Sequence, residues 1–203
     1  MNPTAQKWDQ KYQNLLKNNP KIPSPALQTA LNPAWVLQHH ADQLPLKGKG
    51  LDLACGLGGN ALFMAKCGLK VEAWDISEIA LTHLNNLAAA QKLPIQVQIT
   101  NLDQMLLPYQ QFDVIVISHY LNRRLFPQIQ QALKPNGRLY YQTFLAPVQK
   151  QAPQNPNYYL QSGELPQAFP QLTTQIYGEG TLTTPNSSHR YAWWLGKKPN
   201  STP

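Results

Sequence analysis

Gly50-Leu51-Asp52-Leu53-Ala54-Cys55-Gly56-Leu57-Gly58-Gly59-Asn60-Ala61 decides how the chain is read. An apolar run enters a glycine-rich turn and leaves as a helix-forming segment, so a strand, a turn and a helix follow one another directly. Glycine in the turn permits positive φ and close approach of a ligand to the backbone. The first turn of the helix offers N–H groups without intrahelical partners. The spacing Gly56-x-Gly58-x-x-Ala61 also fits the fingerprint of nicotinamide dinucleotides, so the glycines by themselves leave the ligand open. Asp52 narrows it. A carboxylate just before the turn repels a pyrophosphate and suits a ligand with positive charge at that point; the alternative role is capping the turn's own amides. Asp75 closes the next strand, Val71-Glu72-Ala73-Trp74-Asp75, nineteen residues after Gly56. A carboxylate there can accept from both hydroxyls of a ribose.

Outward from this loop the chain alternates between strands and helices. Strands are expected at 49–54, 70–74, 94–99, 112–117, 137–144, 172–178 and 189–195, with helices at 59–67, 77–91, 122–133 and 163–169. Gly68 stands where a helix C-terminal cap belongs and Ser77 where an N-cap belongs. Helices between short strands mean a parallel sheet with crossovers. Between the last two strands only the turn-rich Gly178-Glu179-Gly180-Thr181 to Arg190 segment intervenes, which requires an antiparallel pair. The expected fold is α/β, Rossmann-like, with five parallel strands, a terminal antiparallel hairpin and helices on both faces. Upstream, residues 4–18 form a helix with Trp8, Tyr12, Leu15 and Leu16 on one face, and 26–43 form a second helical region broken near Pro33. The expected organisation is an N-terminal helical lid over 1–45 and a ligand-binding domain over 46–203.

At 203 residues with 42% hydrophobic residues the chain is long enough for one core and too apolar for a disordered chain. No apolar run reaches the roughly 18 residues of a membrane span, and the polar N-terminus lacks the pattern of a signal peptide; the expected location is the cytoplasm, with no membrane partner. The net charge of +7 reflects ten acidic residues against seventeen basic ones. The basic residues are scattered, unlike a nucleic-acid footprint, so nucleic acid is not the expected partner. Cys55 and Cys67 form no CxxC pair and are expected to be free thiols. The histidines show no metal-ligand spacing, so no metal is expected. A monomer or weak homodimer is expected.

The run Leu51 to Ser77 resembles motif I and the following acidic position of class I methyltransferases, and more narrowly the small bacterial proteins grouped with the tellurite-resistance methyltransferases. Trp8-Asp9…Tyr12, Phe112-Asp113-Val114, Tyr120-Leu121-Asn122-Arg123, Tyr141-Gln142-Thr143-Phe144, Asn155 to Leu160 and Gly163-Glu164-Leu165 carry the same resemblance along nearly the whole chain. It implies S-adenosyl-L-methionine as cofactor, whose ammonium and sulfonium suit Asp52 and which carries no phosphate. The cofactor residues it implies are Asp52, Ala54, Gly56, Gly58, Asn60, Asp75, Ile76, Asn101, Leu102 and Ser118. Ala54 replaces the family's first glycine, which negative φ would tolerate. Asn101 stands where relatives carry an acid for the adenine amino group; the nearby Asp103 is the alternative.

Ligands of open α/β sheets bind at the carboxyl ends of the strands. The loop Ser118-His119-Tyr120-Leu121-Asn122-Arg123-Arg124 should therefore face the methyl acceptor, with His119, Tyr120 and Arg123 as its catalytic candidates. His119 is a general base or a structural histidine bonded to backbone; Arg123 holds an anionic acceptor or pairs with a loop carbonyl. The polar stretch 146–162, with Tyr158 and Tyr159, is expected to join the N-terminal helix in covering the cofactor. The expected reaction is methyl transfer to a small molecule, a thiol or metalloid oxyanion ahead of O- or N-acceptors. An RNA methyltransferase, a non-catalytic cofactor-binding protein and a nicotinamide-dependent reductase are the competing readings.

Overall fold

A computed structural model describes residues 2–17, 25–184 and 187–200. Backbone contacts group the chain into two units, Met1–Ala34 with Pro45–Leu106, and Trp35–Leu44 with Leu107–Pro203.

The first unit begins with α1 (Pro3–Lys17) and α2 (Pro25–Leu31). Strand β1 (Lys49–Leu53) leads through the glycine turn into α4 (Gly59–Lys66), followed by β2 (Lys70–Asp75), α5 (Glu78–Ala90) and β3 (Ile95–Ile99); α3 (Trp35–His39) belongs to the second unit. The three strands are parallel in the order β3-β2-β1. Their register sets Leu53 beside Trp74 and Asp75 beside Ile99, so the three carboxyl ends finish level. Helix α4 packs on β1 and β2, and α5 on β2 and β3. Leu51, Leu53, Val71, Ala73, Met64 and Leu84 are fully enclosed between them. Both expected caps are present. Gly68 has φ +100 just past α4, and Ser77 Oγ accepts from Ala80 N–H at 3.2 Å at the start of α5.

The second unit carries β4 (Phe112–Ser118), α6 (Phe126–Ala132), β5 (Leu133–Phe144), α7 (Glu164–Ala168), β6 (Thr173–Thr184) and β7 (Ser187–Lys197). Strand β4 pairs with β5 in parallel, and β7 lies antiparallel between β5 and β6. Helix α3 packs on β5 and β7, α6 on β5, and α7 on β7. Trp194, Tyr140, Tyr141, Phe112 and Phe169 fill this core.

The second helical region is broken at Asn32–Ala34, around Pro33 as expected, and resumes as α3 and a short 3-10 turn at Ala41–Gln43. Three boundaries differ from the sequence expectation. The helix expected over 122–133 starts as a 3-10 turn, Arg123–Leu125, because Asn122 Oδ1 caps Arg124 N–H at 3.1 Å. Strand β5 begins four residues earlier than expected, at Leu133. The segment read as turn-rich between the last strands is instead mostly strand, with β6 running to Thr184. Its glycines hide the pattern: a Cβ at Gly178 would lie 2.5 Å from the Trp193 ring, which covers this stretch from the neighbouring strand. Among the described residues no helix is long and apolar enough to cross a membrane.

Candidate functional site

The level ends of β1, β2 and β3 bring three turns of the first unit together: the glycine loop, the turn after Asp75 and the turn at Thr100–Asp103. Asp75 holds the first two. Its Oδ2 accepts from Gly56 N–H at 2.8 Å and its Oδ1 from Ser77 N–H at 2.9 Å. Its backbone carbonyl accepts from Thr100 N–H at 2.8 Å and so fixes the third. Each carboxylate oxygen retains a lone pair after these bonds. Burial pushes the Asp75 carboxyl above the ordinary range, while the Ser77, Gly56 and Ile76 amides oppose that shift.

Asp52 is fully enclosed. Its Oδ2 accepts from Ala61 N–H at 2.9 Å and its Oδ1 from Asn60 Nδ2 at 3.2 Å. The carboxylate therefore caps the first turn of α4, the second of the two roles open from the sequence, and it places a negative charge beneath the loop. Asn60 is bonded within the same enclosed group. Its amide donates to Asp52 and its Oδ1 accepts from Ala34 N–H at 2.8 Å, so both ends serve the packing of residues 31–34 against the loop. Burial pushes the Asp52 carboxyl up to about 7, with nearby Asp75 adding to the rise.

The loop backbone is wound left-handed at three points: Ala54 has φ +57, Gly56 φ +53 and Gly58 φ +81. The negative φ that would have suited Ala54 is not what the structure has. The left-handed region costs an L-residue roughly 1–2 kcal/mol. Replacing Ala54 by Gly removes that cost but adds about 0.4–1 kcal/mol of unfolded-chain entropy. Ala54→Gly is thus expected to stabilise the protein by about 0.5 kcal/mol, read as a higher urea midpoint; a midpoint lowered by this change contradicts the strain at Ala54.

Against the loop lies α1. Tyr12 Oη reaches Gly56 so closely that a Cβ there would lie 2.5 Å from it. Burial and the neighbouring Asp75 push the Tyr12 phenol well up. Lys11 Nζ sits 4.2 Å from the Trp8 ring centroid. Ile76 is half-buried and Leu102 buried. Asn101 Oδ1 accepts from Asp103 N–H at 3.1 Å, an Asx turn that fixes the Asn101 side chain against its own backbone. Asp103 is exposed beside it.

The remaining candidates lie in the second unit. Ser118 ends β4 opposite Gln142. His119 is exposed with φ +55, and its N–H donates to the Gln142 carbonyl at 2.9 Å. Its ring lies 5.6 Å from Phe144 and 5.5 Å, edge-on, from Tyr191. A non-glycine residue held left-handed marks a position that the surroundings over-determine. Tyr120 accepts at its carbonyl from Tyr141 Oη at 3.0 Å. Arg123 makes the loop-carbonyl pairing that was one of its two expected roles. Its guanidinium grips Glu164 by two bonds, 2.6 and 2.9 Å, and donates to the carbonyls of Asn157 and Tyr159 at 3.2 and 3.0 Å. It fastens the stretch 146–162 to the start of α7. Tyr159 is itself core, its Oη donating to Pro153 O at 2.7 Å, while Tyr158 is exposed. Cys55 is buried and Cys67 half-buried, both free thiols. No cluster of three metal-ligating side chains occurs among the described residues.

Sequence reasoning missed the aromatic flank of His119, since Phe144 and Tyr191 come from separate strands. It also missed Asp9, although the Trp8-Asp9…Tyr12 pattern contained it.

Comparison with known proteins agrees with this geometry. Residues 51–137 match the family described as a methyltransferase domain. A ubiquinone biosynthesis O-methyltransferase of Coxiella burnetii is 31% identical over 113 residues, 53% of this chain and 48% of that protein. TehB of Haemophilus influenzae, named a probable S-adenosyl-L-methionine-dependent methyltransferase, is 30% identical over 89 residues, 42% of this chain and 31% of that protein. Its crystal structure superimposes with a TM-score of 0.68 at 21% identity, over 79% of this chain and 60% of that one. A solved structure concerned with conversion of a disulfide into a thioacetal during echinomycin biosynthesis gives a TM-score of 0.70 at 16% identity, covering 98% of this chain and 93% of that one. The seven strands, three in the first unit and four in the second, are thus those of the Rossmann-like methyltransferase fold, five parallel with a terminal antiparallel hairpin. Over residues 51–137 the chain is similar to the methyltransferase-domain family, and its fold is shared with TehB among other solved structures. It spans about half the length, or less, of the curated relatives it matches.

Proposed function

We propose that this protein transfers a methyl group from S-adenosylmethionine to a small-molecule acceptor, with thiols and metalloid oxyanions ahead of O- and N-acceptors. The observation that carries the cofactor reading is Asp75: a buried carboxylate at the end of β2, fixed by Gly56 and Ser77 N–H groups, with one lone pair of each oxygen left for a ribose hydroxyl. The loop fits the cofactor in charge, since Asp52 and Asp75 are both acids and no Lys or Arg stands between residues 50 and 61. When bound, S-adenosylmethionine supplies a methyl carbon already activated by the adjacent sulfonium. The chain's own part is to hold and align. Gly56 and Gly58 let the ligand lie against the backbone, Asp75 orients the ribose, Ile76 and Leu102 give apolar cover to the adenine, and Tyr12 on α1 excludes water from the loop. Alignment of this kind contributes roughly 7–11 kcal/mol to lowering a barrier. The loop after β4 offers His119 as its only titratable side chain of neutral range, which suits an acceptor that needs no strong base.

A second reading has its own observation. Phe144 and Tyr191 flank the exposed His119 ring, a setting that suits a flat phenolic acceptor with His119 as its base. The relative from Coxiella burnetii is named an O-methyltransferase. An acceptor screen of thiols, metalloid oxyanions and phenols, read as S-adenosylhomocysteine produced, separates the two. Turnover on phenols alone would replace the soft-acceptor reading, and tight cofactor binding with no turnover on any of them would favour a binding protein.

The buried acids set a pH dependence. Asp52 has its carboxyl raised to about 7, so between its unfolded value of 3.8 and 7 the folded state holds an extra proton. Stability from this group is accordingly greatest below 3.8 and falls as pH rises through that window. A cation seated near the loop favours the ionised form and releases the proton. Affinity for S-adenosylmethionine is expected to rise several-fold between about pH 6 and pH 8. Calorimetry in buffers of different ionisation enthalpy reads the released proton; a flat affinity over this range removes Asp52 from the ligand's field.

A further inference from the structure

Asp9 lies in the middle of α1, half-buried, and its carboxylate is spent on another helix. Oδ1 accepts from Ser77 Oγ at 2.6 Å and from Ile79 N–H at 3.2 Å, two donors at the start of α5. A carboxylate there meets the positive end of the α5 dipole and partners an amide that has no intrahelical acceptor. Ser77 is also the residue whose N–H holds Asp75 Oδ1. Tyr12 stands three residues after Asp9, on the same face of α1, with its hydroxyl against Gly56. The same Gly56 donates its N–H to Asp75. The contacts therefore close on themselves: Asp9 to Ser77, Ser77 to Asp75, Asp75 to Gly56, Gly56 to Tyr12, and Tyr12 back through one turn of helix to Asp9. Tyr12, Leu15 and Leu16 of α1 pack against Leu57 and Ala80 without being fully buried, and the Asp9 bonds add to that packing.

We infer that Asp9 is a positioning residue for the cofactor loop: it fastens α1 to the start of α5 so that Tyr12 covers the Gly56 turn, and it acts on the ligand through Tyr12. This rests on the proposal that S-adenosylmethionine occupies the loop. A residue that merely stabilises the fold would lower the unfolding temperature and leave cofactor affinity alone. Asp9 as a positioning residue couples to the ligand.

The test uses Asp9→Ala, Asp9→Asn, Tyr12→Phe and the Asp9→Ala/Tyr12→Phe double variant of the full chain, with S-adenosylhomocysteine as the probe in calorimetry. Asp9→Ala is expected to weaken binding about tenfold, the size of one lost charge-assisted bond. It should raise KM for S-adenosylmethionine far more than it lowers kcat. Asp9→Asn retains an acceptor oxygen and should recover most of the affinity. The double variant should lose little beyond Asp9→Ala, because both changes remove one action. Tryptic cleavage at Lys11 and Lys17 should be slowed by S-adenosylhomocysteine in the wild type and not in Asp9→Ala. Unchanged affinity in a folded Asp9→Ala, or losses at Asp9 and Tyr12 that simply add, would overturn the inference. If Asp9→Ala does not fold, Asp9→Ser, whose shorter side chain cannot span to Ser77, takes its place and is decided by the same readings. A wild-type protein that binds no S-adenosylhomocysteine refutes the cofactor reading itself, which is distinguishable from wild-type binding that Asp9 variants leave untouched.

Discussion

Asp75→Ala will weaken S-adenosylhomocysteine binding by at least tenfold while the protein stays folded. The variant loses the oxygens that the ribose hydroxyls would reach, and each such charge-assisted hydrogen bond is worth about 1.5–3 kcal/mol. It also releases Gly56 N–H and Ser77 N–H, which now converge on one carboxylate. Both donors lie at turns, where water can replace the lost acceptor, so the strands beneath should survive. Asp75→Asn separates the two contributions, since it retains one acceptor oxygen for the loop and loses the charge. Calorimetric titration gives the affinity, and far-ultraviolet circular dichroism shows whether the sheet is intact. Wild-type affinity in a folded Asp75→Ala would remove this residue from the ligand site and with it the main support for the cofactor reading.

Gly58→Ala is expected to cost stability by about 2–5 kcal/mol, the sum of a left-handed penalty near 1–2 and overpacking near 1–3. Gly58 has φ +81, and a Cβ there would lie 2.4 and 2.5 Å from the two Leu84 methyls and 2.9 Å from Leu84 Cγ. Leu84 is fully buried in α5, so a shift of its side chain displaces packed neighbours. Gly58 also precedes the first turn of α4, where Asp52 caps Ala61 N–H, so the displacement reaches the loop. A chemical denaturation midpoint reads the loss directly. The companion Leu84→Ala, Gly58→Ala double variant tests the cause: if the clash dominates, opening space at 84 makes the second change much cheaper than in the wild type. A Gly58→Ala variant as stable as the wild type would show that the loop relaxes without cost, contrary to both arguments.

The contrast between Ala54 and Gly58 is instructive. Both are left-handed, yet Ala54 is accommodated by its short side chain, whereas the Gly58 position is closed by Leu84. The spacing of the glycines told which residues form the turn. It did not tell which of them were there for φ alone and which for lack of room. Asp52 makes the same point for charge. Its position before the turn was legible, and so were its two alternative roles. That Asn60 and Ala61 close over it came only from the tertiary structure. Arg123 finds its carboxylate partner at Glu164, 41 residues away, and Asp9 finds Ser77 at a separation of 68. No local pattern carries such pairings.

The sequence by itself determined the alternation of strand and helix, the glycine turn, the caps at Gly68 and Ser77, the acid at the end of β2 and the antiparallel close. These depend on backbone sterics and on hydrophobic periodicity over a few residues, which are written locally. Only the tertiary structure decided that Asp52 and Asn60 are enclosed, that Arg123 fastens a loop, that Tyr12 lies on Gly56 and that Asp9 secures α1. Those outcomes depend on which side chains meet once the strand ends are brought level, and each is fixed by burial and by hydrogen-bond partners supplied from elsewhere in the chain.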